Sequence, residues 1–406
     1  MSEETFLLPL PAVVDVIVGR ACLSEQDLRL RHYRRKRHAP DQVDELLASG
    51  GRDLHQKLKR SRGRLFSRPL VEALIQRCGE LTSVAPEEAV EAARAAQMIL
   101  SMTAERLGKR QLSVEFGGGC AWWDLQGLVR AQLANVRRVQ CRWADARQGF
   151  DNAYQCLSHG TGDPLAAARV RCLEASLLRD REKYQRALQC LSCAEILYRR
   201  LDHQQELARV LLKRAEILDL CDQVRRAIQI QIEAIALIDE DREPAVTLAA
   251  FANLAEMYRR GGEAEAAAVV LESSEHYLQD LPAQSRTLLT WRWIRGRVNL
   301  ALGRLQEARS DLVAAFDGYR AANSSFQFAS IGVDLMKLYA LEGRTQELVE
   351  TSGPTLQALR NQDLAAEAVE AIAVLSKALE YQQVGTHLVD QLAELIEKKN
   401  LGRERR

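Results

Sequence analysis

The chain has 406 residues, of which 47% are hydrophobic and only 5% aromatic, and Ala and Leu make up most of the apolar share. This composition predicts a helical protein, and the length allows two or three compact domains or one elongated array. The sequence has no run of about 18 apolar residues, and the stretch FLLPLPAVVDVIV near its start contains two prolines and no preceding basic segment. It therefore predicts neither a transmembrane helix nor a signal peptide, and we expect a cytoplasmic protein.

The positive charge is concentrated near the N-terminus. From Arg20 to Arg68 there are 14 Lys/Arg and 6 Asp/Glu, a local charge of +8, so the rest of the chain carries −7 of the total of +1. The densest clusters, RLRHYRRKRH and KLKRSRGRLFSR, contain the candidate phosphate-binding residues Arg34, Arg35, Lys36, Arg37, Lys59, Arg60, Arg62 and Arg64. These residues can bind nucleic acid, or they can pair with acidic side chains of the same chain or of another subunit. The sequence leaves both alternatives open.

The first third of the chain is less regular than the rest. We assign residues 1 to 66 to a basic N-terminal segment with short helices near Pro11 to Cys22 and Pro40 to Leu47, and residues 67 to 108 to a helix pair. A Gly-rich loop is expected at residues 109 to 122. Its FGGGC motif is not followed by Gly-Lys-Ser/Thr, so a phosphate-binding loop is not predicted.

Residues 123 to 361 contain six copies of one spacing pattern. The first position of each copy follows that of the previous copy by 40 or 41 residues. These positions are Ala146, Ala187, Ala227, Ala267, Ala308 and Leu348. Twelve residues before these positions lie Ala134, Ala175, Ala215, Ala255 and Gly296, whereas Met336 breaks the pattern in the sixth copy. Two columns of small residues predict antiparallel helices in close contact, because small side chains let helix axes approach. A C-terminal capping helix pair is expected at residues 362 to 399, followed by a basic tail at 400 to 406.

The fourth copy carries the most complete motif, formed by Phe251, Asn253, Leu254, Ala255, Tyr258, Gly262, Ala267 and Leu271. This pattern resembles the tetratricopeptide repeat (TPR), and the resemblance covers about residues 120 to 360. The period exceeds the usual repeat of about 34 residues, which suggests helices of 16 to 20 residues, as in long-repeat bacterial members of the family. The resemblance implies an all-α fold, a right-handed superhelical solenoid of TPR-like helical hairpins.

Such an array has a concave groove lined by the first helix of each hairpin. The repeat register predicts groove positions at Gln132, Asn135, Arg138, Arg169, Arg179, Lys213, Glu216, Asn253, Glu256, Arg259, Trp293, Arg297, Asp334 and Lys337. Cations outnumber anions in this set, which favours an acidic peptide or a C-terminal carboxylate. Trp291 and Trp293 point about 200° apart on a helix, so we expect one in the core and the other near the groove.

The sequence does not favour an enzyme. It lacks the common catalytic motifs, and Cys190 and Cys193 have no second Cys or His pair nearby to complete a zinc site. We expect no catalytic residues, no metal and no cofactor. The predicted function is a non-catalytic scaffold or regulatory adaptor that binds a protein or peptide in the groove. The alternative is a nucleic-acid-associated or peptide-sensing transcriptional regulator that uses the basic N-terminal segment.

Overall fold

The structure is a computed structural model, and it describes part of the chain in detail. The described residues are 25–48, 50–61, 64–82, 84–106, 116–282, 285–322, 324–360, 387, 389–391 and 393–395. The expected helix near Pro11 to Cys22, residue Arg62, the basic tail and most of the expected capping pair lie outside these residues.

The described part of the chain is built from α-helices and one 3₁₀ helix. The first four are α1 (Glu25–Leu47), α2 (Gly50–Arg60), α3 (Arg68–Leu81) and α4 (Pro86–Arg106). The repeats contain α5 (Gly119–Val139), α6 (Trp143–Leu157), α7 (Pro164–Asp180), α8 (Tyr184–Arg200), α9 (Gln204–Leu220), α10 (Val224–Ile235), α11 (Pro244–Arg260), α12 (Ala264–Ser273), α13 (Arg286–Ala301), α14 (Leu305–Ala321), α15 (Ser325–Glu342) and α16 (Thr345–Arg360). The 3₁₀ helix is Glu275–Asp280, directly after α12.

The chain divides into two compact units, Met1–Glu174 and Ala175–Arg406, and the division falls within α7. The core of the first unit draws one or more buried side chains from each of α1 to α5. Examples are Val43, Leu58, Leu74, Ile99 and Leu125, none more than 4% exposed. The helices of the first unit are therefore held together by a shared apolar core.

Helix α1 is much longer than the short helix expected near Pro40 to Leu47. It starts at Glu25 and continues through the basic cluster and Pro40. Ala39, Val43 and Leu46 are buried at helical spacing. This burial fixes the second half of α1 on the core, whereas the unbroken run of charge before it gave no apolar periodicity from which to predict a helix.

The helices of the array form antiparallel hairpins, and most have the expected length. Three second helices are shorter than expected: α6 has 15 residues, α10 has 12 and α12 has 10. At the end of α12 the Ser274 hydroxyl donates to the Leu271 carbonyl oxygen over 2.8 Å, and the indole of Trp291 donates to the same hydroxyl over 2.9 Å. A side chain that bonds the backbone in this way competes with the continuation of the helix.

Every hairpin turn in the array uses the same backbone conformation. One residue with positive φ follows each first helix, namely Cys141, Glu182, Asp222, Gly262, Gly303 and Gly343. At Gly303 the N–H donates to the Leu300 carbonyl, and the next N–H, of Arg304, donates to the Asn299 carbonyl. These are the paired bonds of a Schellman motif, which satisfies the last carbonyls of the helix. The turn therefore recurs at a fixed position, five residues before each residue of the Ala146 column, whether or not Gly occupies it.

Both columns of small residues lie at helix contacts. Ala215, Ala227, Ala255 and Ala267 are completely buried. At Gly296 a Cβ atom would lie 2.7 Å from the Leu312 side chain, closer than real Cβ contacts. The periodicity of the sequence thus marks the positions where the helices of the array touch.

Candidate functional site

The candidate site lies on the first helices of the second unit. We use the term first-helix face for the surface of α9, α11, α13 and α15 that carries Glu216, Glu256, Arg297 and Asp334. Contacts on this face join residues of successive repeats, at separations of 37 or 41 residues. The 40-residue period therefore places chemically complementary side chains side by side.

Glu256 is the centre of the main charge cluster. Its carboxylate accepts two hydrogen bonds of 2.9 Å from Arg259 on the same helix and one of 2.5 Å from Arg297 on α13. Burial by itself raises the pKa of Glu256, but Arg297 and Arg259 outweigh burial and hold the pKa at about 2. Glu256 is therefore an ionised counterion that orients both guanidinium groups.

Trp293 and Asp334 extend this cluster to the next repeat. The indole N–H of Trp293 on α13 donates to Asp334 Oδ2 on α15 over 2.7 Å. Arg297 Nε lies 3.6 Å from the same oxygen, and its guanidinium carbon lies 5.8 Å from the Trp293 ring centroid. The carboxylate of Asp334 thus fixes both the tryptophan ring and the arginine.

A cavity of about 130 Å³ opens beside these residues. Its polar lining comes from Arg259, Arg297, Ser330, Asp334 and Lys337, and its apolar lining from Trp293, Leu300, Ala301, Val333 and Ala393. Lys337 Nζ lies 2.7 Å from Asp390 Oδ1. The cavity therefore combines an aromatic and aliphatic wall with several oriented polar groups.

A second charge cluster lies towards the start of the same unit. Arg179 Nη1 donates to Glu216 Oε1 over 2.5 Å and Arg179 also pairs with Asp180. Burial lowers the pKa of Arg179, but Glu216 and Asp180 outweigh it, so the pKa is raised overall. Asp219 pairs with Arg260, and its pKa is raised because burial outweighs this pairing.

The structure brings together four of the predicted groove residues, Glu256, Arg259, Trp293 and Arg297, and places Lys337 at the same cavity. Lys213 Nζ donates to Ser176 Oγ over 3.1 Å, near the second cluster. Asn253 is exposed on α11 one turn before Glu256, without a hydrogen-bond partner among the described residues. These positions are compatible with a binding surface, and their role in binding stays a prediction.

The other predicted groove residues lie in the first unit. Asn135 is buried and accepts a bond of 2.9 Å from Arg138 Nε. Gln132 is half-buried, with Oε1 left without a hydrogen-bond partner, and Arg169 is exposed on α7. They do not contact the cavity.

The ion pairs change the charge available to a ligand. Arg179, Arg259, Arg297 and Lys337 all have carboxylate partners. The expected preference for an acidic peptide rested on a surplus of cations, and these pairs reduce that surplus. The preference is therefore a prediction that only binding measurements can test.

Ser330 belongs to the cavity but is absent from the predicted groove set, which does include Asp334. A signal for Asp334 exists in the sequence, because it lies 41 residues after Trp293, one repeat period away. No such signal exists for Ser330, which lines the cavity through the packing of α15. The tryptophan prediction agrees with this arrangement, since Trp291 is 1% exposed in the core and Trp293 lines the cavity.

The basic N-terminal cluster is largely exposed. Arg34, Lys36 and Arg37 on α1 are exposed, as are Lys59, Arg60 and Arg64, whereas Arg35 is half-buried. Within the part of the chain that the structure describes, Arg34, Lys36 and Arg37 make no ion pair. The structure therefore does not show these three cations paired with acidic residues of the described chain.

Neither a membrane span nor a metal-binding cluster is found among the described residues. No helix among them is long and apolar enough to span a membrane. No group of three or more His, Cys, Asp or Glu residues is arranged there to hold a metal ion.

Known proteins resemble this chain in structure. No protein-family model and no curated protein sequence matches it. A Rap protein solved in complex with competence and sporulation factor is 14% identical, with a TM-score of 0.57 over 82% of this chain and 88% of that chain. Aspartyl phosphate phosphatase F from Bacillus subtilis is 12% identical, with a TM-score of 0.54 over 90% of this chain and 95% of that chain.

A third structure is the Rap conjugation gene regulator of the plasmid pLS20 in complex with the Phr* peptide. It is 12% identical, with a TM-score of 0.50 over 83% of this chain and 97% of that chain. At such identities these likenesses show the fold alone. They confirm the predicted fold class: the chain is an all-α solenoid of TPR-like helical hairpins.

Proposed function

We propose that this chain is a non-catalytic regulatory adaptor of bacterial type, and that it binds a peptide or a peptide segment of a protein on the first-helix face. The observation that carries this proposal is the cavity beside Trp293, built from three successive first helices. Two solved structures with the same fold contain a bound factor or peptide. A cytoplasmic location is part of the same proposal.

The geometry of the cavity suits a peptide side chain. Its volume of about 130 Å³ is that of one side-chain group, not of a whole cofactor. The exposed Asn253 amide lies on the same helix as Arg259, and an amide can pair with both the donors and the acceptors of an extended backbone. The side chain of a ligand would then enter the cavity while its backbone runs past Asn253.

The arrangement also supports a binding role rather than a catalytic one. Glu256 is held ionised between two guanidinium groups, and Asp334 is engaged by Trp293 and Arg297. Carboxylates held in this way are positioned as structural counterions, whereas a general acid or base needs a pKa near the working pH.

The proposal can be tested with a phage-displayed library of random short peptides, followed by affinity measurement on the selected sequences. We expect peptides whose binding persists at moderate salt and is lost in the double variant Asn253→Ala, Arg259→Ala. The matched control is the double variant Arg225→Ala, Arg226→Ala. It removes exposed charge from α10, a second helix of the array. Unchanged affinity in the first double variant, with thermal unfolding confirming that it is folded, would contradict the assignment of the site.

A further inference from the structure

Residues 32 to 38 of α1 precede the part of the helix that packs on the core. Ala39, Val43 and Leu46 are each 3% exposed and pack in the first unit. From His32 to His38 every side chain except Arg35 is exposed, and Tyr33 is 66% exposed. This part of the helix therefore offers its sides to a partner.

Three exposed cations of α1 have no ion-pair partner among the described residues. Residues 34 to 37 are four consecutive cations, and no acidic residue lies between 32 and 38. Arg34, Lys36 and Arg37 have no ion pair among the described residues. Arginines such as Arg259 and Arg260 in the array are instead paired with carboxylates. Arg34, Lys36 and Arg37 thus remain available to an external anion.

The direction of these side chains distinguishes between partners. Successive residues of a helix are rotated by about 100°, so Arg34 and Lys36 point about 160° apart, and Arg37 lies between them on the exposed side of α1. A flat acidic protein surface meets only one side of a helix. The major groove of B-form DNA is about 12 Å wide and admits a helix between two walls of phosphates, which matches cations that point about 160° apart.

We infer that residues 32 to 38 of α1 bind double-stranded DNA, with the helix in the major groove and Arg34, Lys36 and Arg37 on the phosphates. The contacts are to the backbone, so binding has little sequence preference. Exposed Asp41, Asp44 and Glu45 follow on the next turns and limit the contact to this segment, because they repel phosphate. The proposed contact uses no residue of the first-helix face and does not depend on peptide binding.

The test uses the full chain and a fluorescent 20-base-pair DNA duplex in anisotropy titrations at 50 to 200 mM salt. Three phosphate contacts give a slope of about −2.7 in log affinity against log salt, or about 40-fold weaker binding across this range. The variant Arg34→Ala, Lys36→Ala, Arg37→Ala should lose at least 20-fold of the affinity at the lowest salt, and its salt dependence should become nearly flat. Alanine preserves the helix, which circular dichroism verifies.

The matched control removes three exposed arginines from second helices of the array, as Arg186→Ala, Arg225→Ala, Arg226→Ala. It has the same change of net charge and should bind the duplex as the unaltered chain does. An equal loss in both triple variants would overturn the inference, as would absence of duplex binding at 50 mM salt. Equal affinity for a single strand or for an RNA duplex would refute the major-groove geometry, and tighter binding of a polyglutamate peptide would assign α1 to an acidic protein instead.

Discussion

Replacement of Glu256 by Gln removes the charge that holds Arg259 and Arg297. The pKa of Glu256 falls from its usual 4.5 to about 2. One pKa unit corresponds to about 1.4 kcal/mol, so the ionised carboxylate stabilises the folded state by about 3 kcal/mol at neutral pH. The side chains of Glu256, Arg259 and Arg297 are less than 20% exposed, so screening by solvent is limited. We expect Glu256→Gln to destabilise the second unit by about 3 kcal/mol, since two guanidinium groups lose their shared counterion.

The effect should depend on pH in a defined direction. The folded-state pKa is lowered, so the stabilisation is complete above about pH 4.5 and is lost as the pH falls towards 2. At pH 3 the difference between the native chain and Glu256→Gln should shrink to about 1.4 kcal/mol. Only well below pH 2 do both folded chains carry a neutral group at position 256.

Amide hydrogen exchange of peptides from α11 and α13 measures the local opening free energy that this argument concerns. Urea unfolding followed by circular dichroism gives the global value. The control is Glu265→Gln on α12, which removes an exposed carboxylate from the same repeat. A loss below 1 kcal/mol for Glu256→Gln, or a loss equal to that of Glu265→Gln, would refute the view that Glu256 is a buried counterion.

Three further substitutions test the packing of the array through the free energy of unfolding. Gly303→Ala should cost about 1 to 2 kcal/mol because φ is +74° there. Its control, Gly119→Ala, lies in helical backbone with equally open space and should be neutral or stabilising. Equal effects of the two substitutions would contradict the turn geometry. Gly296→Ala should cost about 1 to 3 kcal/mol because its Cβ would meet Leu312, and a neutral result would show that the α13–α14 contact can relax. Trp291→Phe should cost about 1 kcal/mol beyond the change in packing, since the Ser274 hydroxyl loses its indole donor, and an unperturbed stability would exclude a role for that bond.

The sequence by itself determined the repeat and the positions of helix contact. The spacing of 40 or 41 residues and the two columns of small residues predicted the hairpins, and Ala215, Ala227, Ala255 and Ala267 are buried as expected. This was possible because the requirement for a small side chain at a close helix crossing is local and recurs in every repeat. The resemblance of the motif around Asn253 to the TPR led to the same fold.

Tertiary structure decided which side chains meet between repeats. The repeat period places Glu256 and Arg297, and likewise Trp293 and Asp334, at equivalent positions of neighbouring hairpins, but the rotation of one hairpin against the next decides that their side chains meet. The length of α1 was also decided by packing, because burial of its second half extends order into a charged stretch that has no apolar pattern. The positive-φ turn at Glu182 could not be predicted from the sequence for a similar reason. Gly indicates this conformation in half of the turns, whereas in the others the hairpin imposes it on a residue with a side chain.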